Sequence, residues 1–380
     1  MIIKDGVRKE NRLLFIDVAR TFAILLALLS HFLGSFNMPT WFGSAGENYP
    51  YFTSMATPMF IFMFGFMMEY VYVSKALKAW SADLSKRIYI RSFQCYMGFA
   101  LTSLAAVVGG HVDISTFFKS LIMLEPARYS NILLIYSLYL LIMPGIIFIR
   151  VKFGALILAL MILPLYYLTT VVSGYKDIDF GIFGYPMNNI FGLGTNIGGP
   201  GALFGLIFIC SGMLAAWALR QSTANSLKTF YIYLAIFITV CSVAIVLTND
   251  LSSVRLIKDY LTHYSYGHFR GLNNHNYFLV GTLVSCVNLG LICVLFASLF
   301  KITNLPSIIT SAGRASLFSF AFGNILLNLF TFPLANVDYG LSLILFFAVV
   351  IIAARYIHKL PYYSYINGLL NLKYSRKRPN

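Results

Sequence analysis

Apolar positions along the chain fall into ten runs of the length that crosses a bilayer, about 20 residues each. The runs are 13–36, 52–74, 89–109, 130–149, 153–173, 200–219, 229–249, 276–300, 315–333 and 340–358. The ninth is interrupted by Arg314 and Asn324 and admits a start near Pro306. A shorter amphipathic piece, 114–124, suits a helix that lies in the membrane interface or re-enters the membrane. The pattern predicts an all-α, polytopic membrane helix bundle with ten transmembrane helices. The first run is too long for the apolar core of a secretory signal, so it reads as a retained first span.

Charge placement sets an orientation. Of the 28 Lys and Arg, twenty-one fall on one side of a ten-span arrangement and six on the other, with Arg20 inside the first span. Positive residues collect on the cytoplasmic side, so both termini are expected there. One membrane domain, 1–372, is expected, followed by a basic tail, 373–380. No internal repeat stands out.

Composition agrees with this pattern. Only 11% of the 380 residues are charged and 59% are hydrophobic, where a soluble domain carries about 25% charged. That excludes a soluble enzyme and a secreted disulfide scaffold. The net charge of +15 belongs to loop topology, so no nucleic-acid partner is expected. The partner is the lipid bilayer. Cys95, Cys210, Cys241, Cys286 and Cys293 all lie in apolar runs and none forms a CxxC pair. They read as small buried hydrophobes. The histidine spacings match no metal motif, and no metal is expected.

The first span carries three ionisable groups, Asp17, Arg20 and His31. Such groups inside a span are costly and mark function by default. Eleven residues return a helix to within roughly 20° of its starting face, so Arg20 and His31 share a stripe about 16 Å long. Asp17 lies one turn before Arg20, and Ala23, Ala27 and Gly34 leave room along that side, with Ile24 on the same arc. A fixed cation at the inner end suits an anionic or polarised group. An imidazole toward the outer end suits a general base acting on a hydroxyl. The bland alternative is a snorkelling Arg20 paired with Asp17, and a histidine satisfied within the core.

The run Phe15-Ile16-Asp17-Val18-Ala19-Arg20, followed ten residues later by His31, resembles membrane acyltransferase family 3. Three further stretches are similar to that family. They are Thr57-Pro58-Met59-Phe60-Ile61-Phe62-Met63-Phe64-Gly65-Phe66, Ser211-Gly212-Met213-Leu214-Ala215, and Gly313-Arg314-Ala315-Ser316-Leu317-Phe318-Ser319-Phe320. Phe64 replaces the family's usual serine, Arg87 and Arg91 stand one residue wider than its Arg-x-x-Arg, and Gly323 stands where many members have a histidine. The last feature looks more like the periplasmic-glucan succinyltransferase branch.

The resemblance implies an acyl-CoA-dependent O-acyltransferase. It would move acetyl, succinyl or a related group from the cytoplasm to a hydroxyl of an extracytoplasmic glycan or glycolipid. His31, Arg20 and Asp17 are then the expected catalytic residues, with Lys86, Arg87, Arg91 and Arg314 on the phosphates of acyl-CoA. For Lys86, Arg87 and Arg91 the alternative is plain positive-inside topology. For Arg314 it is a helix-end anchor. Glu69, in the second span, admits pairing with Arg20 or Lys75 or a role in substrate binding. The outer loop 250–275 holds Arg270 and ends at His275, which are candidates for acceptor binding or a merely solvated loop. Two other function classes stay open. One is a transporter or flippase, which suits intramembrane charge. The other is a glycan polymerase or ligase that uses the outer-loop Arg270 and His275.

Overall fold

A computed structural model of the chain describes residues 14–35, 56–173, 178–193, 201–221, 307–330 and 339–357. Every regular element among them is helical. We number the helices in chain order. α1 is Leu14–Ser35, and α2 is Ala56–Met67, which continues through a π-helical turn, Met68–Val73, into Ser74–Ala76. α3 is Ala82–Val108, α4 Ile114–Leu121, α5 Asn131–Phe153 and α6 Leu156–Ser173. α7 is Gly184–Phe191, α8 Ala202–Gln221, α9 Ser307–Arg314, α10 Ser316–Leu329 and α11 Tyr339–Ile357.

Eight of the ten apolar runs correspond to helices here, while 229–249 and 276–300 lie outside the described residues. Four helices are long and apolar enough to cross a membrane: Ile16–Ser35, Ala56–Ala76, Asn131–Phe153 and Gly340–Ile357. Leu156–Leu165, Ala202–Ala218 and Ser316–Leu329 are apolar but shorter. These helices make a membrane protein, as the pattern predicts.

Two boundaries differ from the apolar runs. α3 starts at Ala82, ahead of its apolar stretch, because Ser81 caps it by accepting the Leu84 N–H. Its first turns therefore carry Lys86 and Arg87 on a rigid helix. The ninth run is two helices. α9 stops at Arg314 and α10 restarts at Ser316, with Ala315 out of helical geometry between them.

α4 is capped by Asp113, whose carboxylate accepts the Thr116 N–H at 2.6 Å. That bond holds the Asp113 carboxyl below the usual carboxylate range. Ile114 and Phe118 on α4, and Ile122 just after it, stay exposed at four-residue spacing. An unburied apolar stripe on so short a helix suits the interfacial of the two positions open to 114–124.

The packing places α1 against α2, α9 and α10, and α3 against α5 and α10. α2 and α8 form the closest seam. A Cβ on Gly65 would run into the Ile209 backbone, and one on Gly212 into the Phe62 backbone. Small residues let helix backbones approach where lipid gives no hydrophobic drive to associate. Cys95 and Cys210 are buried and unbridged, as expected for small core residues.

Candidate active site

α1 lies along α9 and α10, and its polar stripe meets the α9–α10 junction. The Gly313 N–H donates to Thr21 Oγ1 at 2.8 Å. Thr21 Oγ1 in turn donates to the Asp17 carbonyl at 2.9 Å. Gly313 is needed for this approach, because a Cβ there would strike the Asp17 carbonyl. The Asp17 carboxylate faces Arg314, with Nε to Oδ2 at 3.6 Å. The Arg20 guanidinium donates to Ser316 Oγ. Thus the Phe-Ile-Asp-Val-Ala-Arg stretch and the Gly-Arg-Ala-Ser stretch, nearly 300 positions apart, dock on each other.

The electrostatics of this end follow from the same residues. Two guanidiniums, Arg20 and Arg314, and the positive start of α10 converge on a place where Asp17 supplies a carboxylate. Helix starts and guanidiniums both favour negative charge. The arrangement can bind an anion or stabilise an oxygen that gains charge during a reaction.

Toward the other end of α1, His31 reaches the same helix. Its Nδ1–H donates to Asn324 Oδ1 at 2.7 Å. Asn324 is wholly buried, and its Nδ2 has no hydrogen-bond partner among the described residues. With Nδ1 protonated by that bond, the lone pair sits on Nε2, the nitrogen able to accept a proton. The ring stacks on Tyr129, with centroids 4.7 Å apart and planes 21° apart, and meets the edge of Phe320 at 5.9 Å.

Tyr129 is itself held unusually. Its backbone has φ 58°, in the left-handed region that bulky residues avoid. Its hydroxyl lies 2.7 Å from Ser35 Oγ, and the Arg128 guanidinium covers its ring at 4.9 Å. Strain of this kind persists only where the surroundings enforce it, and it clusters at functional sites.

Arg20 and His31 therefore share one neighbour, α10, through Ser316 and Asn324. Between them Ala23, Ile24 and Leu28 are buried, so the space there is narrow. Gly323 is filled from outside by Leu28. The position at which the family resemblance suggests a histidine thus packs an aliphatic side chain, and the next residue, Asn324, makes the polar contact. Gly34 is exposed and takes no part in this face.

The remaining expected site residues are placed elsewhere. Glu69 pairs with neither Arg20 nor Lys75. Its Oε1 accepts from Arg150 at 2.8 Å and from Arg220 at 2.5 Å. A wholly buried carboxylate takes the cations that helix packing brings to it, and α2 packs on α5 and α8. Arg91 donates to Gln94 at 3.0 Å, one turn along α3. Lys86 is exposed and Arg87 is partly so. Arg270 and His275 lie outside the described residues.

Sequence reading missed Asn324 and Tyr129 as site residues. Asn324 left a signal, a lone amide in an apolar run. Tyr129 left none, because a positive φ at a tyrosine has no sequence mark. Arg150 and Arg220 stand at the ends of apolar runs, where a positive charge is ordinary and marks no site.

A family model described as OpgC protein matches residues 12–113. That likeness supports an OpgC-like acyltransferase family. The matched stretch runs from just before α1 to the start of α4 and contains Asp17, Arg20, His31 and Glu69. No curated protein and no solved structure matches the chain.

Proposed function

We propose that the chain is a multi-pass membrane O-acyltransferase. It takes acetyl, succinyl or a similar acyl group from cytoplasmic acyl-CoA and passes it to a hydroxyl of an extracytoplasmic glycan. The observation that carries this reading is the joint anchoring of Arg20 and His31 on α10. A guanidinium and an imidazole at opposite ends of one stripe face one helix.

In this reading the termini and the Arg20 end face the cytoplasm. The donor's phosphates meet Lys86, Arg87, Arg91 and Arg314, and its thioester passes Arg20. Arg20 and the start of α10 hold and orient the donor as it enters from that end, a full stripe away from the reacting hydroxyl. His31 Nε2 removes the proton from the acceptor hydroxyl. That oxygen attacks the thioester carbon, the new C–O bond forms, the C–S bond breaks and CoA leaves as a thiol after taking up a proton. Asn324 keeps Nε2 free of hydrogen, and Tyr129 holds the ring's orientation. Arg270 and His275 belong to the acceptor side.

The test uses membranes with the full chain, acyl-CoA labelled in the acyl group, and mass analysis of surface glycans. His31→Ala should lower transfer by about 10²–10⁴-fold, the range of a lost general base. Undiminished transfer in this variant would remove His31 from the mechanism. Flux of a solute with no acylated product would replace the reading with a transporter.

A further inference from the structure

A second polar cluster lies at the Arg20 end of the bundle, away from the stripe just described. α5 starts just after Tyr129, which stacks on His31, passes Phe60 of α2 at Tyr136 and carries Arg150 in its last turn. Counted along α5 and α2, the cluster of Glu69, Arg150 and Arg220 sits roughly 15–20 Å beyond that crossing. This depth approaches the bundle's end, where headgroups would lie.

Two guanidiniums share a single oxygen of a single carboxylate. Arg150 and Arg220 both donate to Glu69 Oε1. Arg150 Nε, Arg220 Nη1 and Glu69 Oε2 are all buried and have no hydrogen-bond partner among the described residues. The Arg150 side chain is only 5% exposed, and Glu69 is fully enclosed. The local charge is thus one positive in excess. A surplus charge and unspent donors inside a protein are unfavourable unless something matches them.

The chemistry of the missing partner can be read from what is unspent. Two guanidinium N–H groups call for an anionic acceptor, and guanidiniums fit the tetrahedral oxygens of phosphate. The free Glu69 oxygen can accept from a hydroxyl on the same ligand. Arg220, in the last turn of α8 with its side chain 23% exposed, gives the cluster a way out. Glu69 itself sits in the π-helical turn of α2, a distortion that recurs at functional sites. Basic pockets between membrane helices are known to take phosphate headgroups.

We propose that Glu69, Arg150 and Arg220 form a phosphate-binding site at this end of the bundle. The phosphate belongs to a lipid headgroup or to a soluble coenzyme. The proposal does not rest on the acyl-transfer reading.

The experiment is native mass spectrometry of the purified full chain. It is titrated in one arm with phosphatidylglycerol and in the other with coenzyme A. Arg220→Gln leaves the Glu69–Arg150 pair intact and should weaken binding about tenfold, one charged donor's worth. Glu69→Gln removes the competing carboxylate and should tighten binding several-fold, which a purely structural ion triad would not do. Weakening by Arg220→Gln in the lipid arm assigns the lipid source. Weakening in the coenzyme arm assigns the soluble one. Unchanged binding of both probes in both variants overturns the site. So does a Glu69→Gln protein that binds more weakly and unfolds at lower temperature, since the cluster would then be a structural lock.

Discussion

The pairing of His31 with Asn324 shows how one hydrogen bond assigns a chemical role. An amide oxygen 2.7 Å from Nδ1 selects the tautomer with its lone pair on Nε2. Replacing Asn324 with Ala leaves the imidazole in place but frees its tautomer and tilt. Acyl transfer should then fall by roughly 10–100-fold, the usual effect of losing a group that orients a functional imidazole. KM for the donor should stay near its original value, and a fall in donor affinity alone would contradict this. His111 offers a pH test beyond the end of α3. Burial is the main cause that pushes its pKa below the ordinary imidazole value, nearby Arg128 adds to it, and a hydrogen bond with the Asn328 backbone opposes both. The folded chain therefore holds fewer protons here than the unfolded chain. The junction is firmest above the ordinary imidazole pKa, about 6.5, and loosens as pH falls below it. Hydrogen exchange across 109–113, corrected for intrinsic rate, should speed up at pH 5.5 relative to pH 7.5. The His111→Gln variant should lose that dependence.

Helices here are fixed in two ways, by apolar runs that say where they are and by small residues that say how close they come. Gly65 and Gly212 bring the α2 and α8 backbones together from both sides. Either glycine changed to Val forces a side chain into a backbone. The helices must separate, at a cost of about 1–3 kcal/mol, and the melting temperature in detergent should fall accordingly. Equal melting of Gly65→Val and the parent would mean that the seam is looser than described. The break between α9 and α10 follows a different logic. Stopping at Arg314 lets one element offer Gly313 and Arg314 to Thr21 and Asp17, and the next offer Ser316 to Arg20.

At the scale of the whole molecule, α1 is clasped by segments from near the other end of the chain. Cysteines at Thr21 and Gly313, in a background stripped of the five native cysteines, should cross-link on mild oxidation. Peptide mass analysis reads the link. A pair at Thr21 and Leu341 should stay open, and failure of the first pair to close would undo the docking of α1 on α9.

The apolar runs along the chain determined the all-helical membrane architecture and nearly every helix that the structure describes. Bilayer thickness and hydropathy are local rules, readable from any twenty consecutive residues. The shared face of Arg20 and His31 was legible for the same reason, since helical pitch alone sets it. What stands opposite that face was not. The docking of Asp17 on Arg314, the bond from His31 to Asn324 and the stack on Tyr129 join residues about one hundred to three hundred positions apart. Glu69 took Arg150 and Arg220 over the nearer Lys75 because the α2–α8 glycine seam and the α2–α5 packing bring those cations to it. Tertiary packing decided these partners, because a side chain's charge states what it needs while only the folded chain sets which groups come within reach.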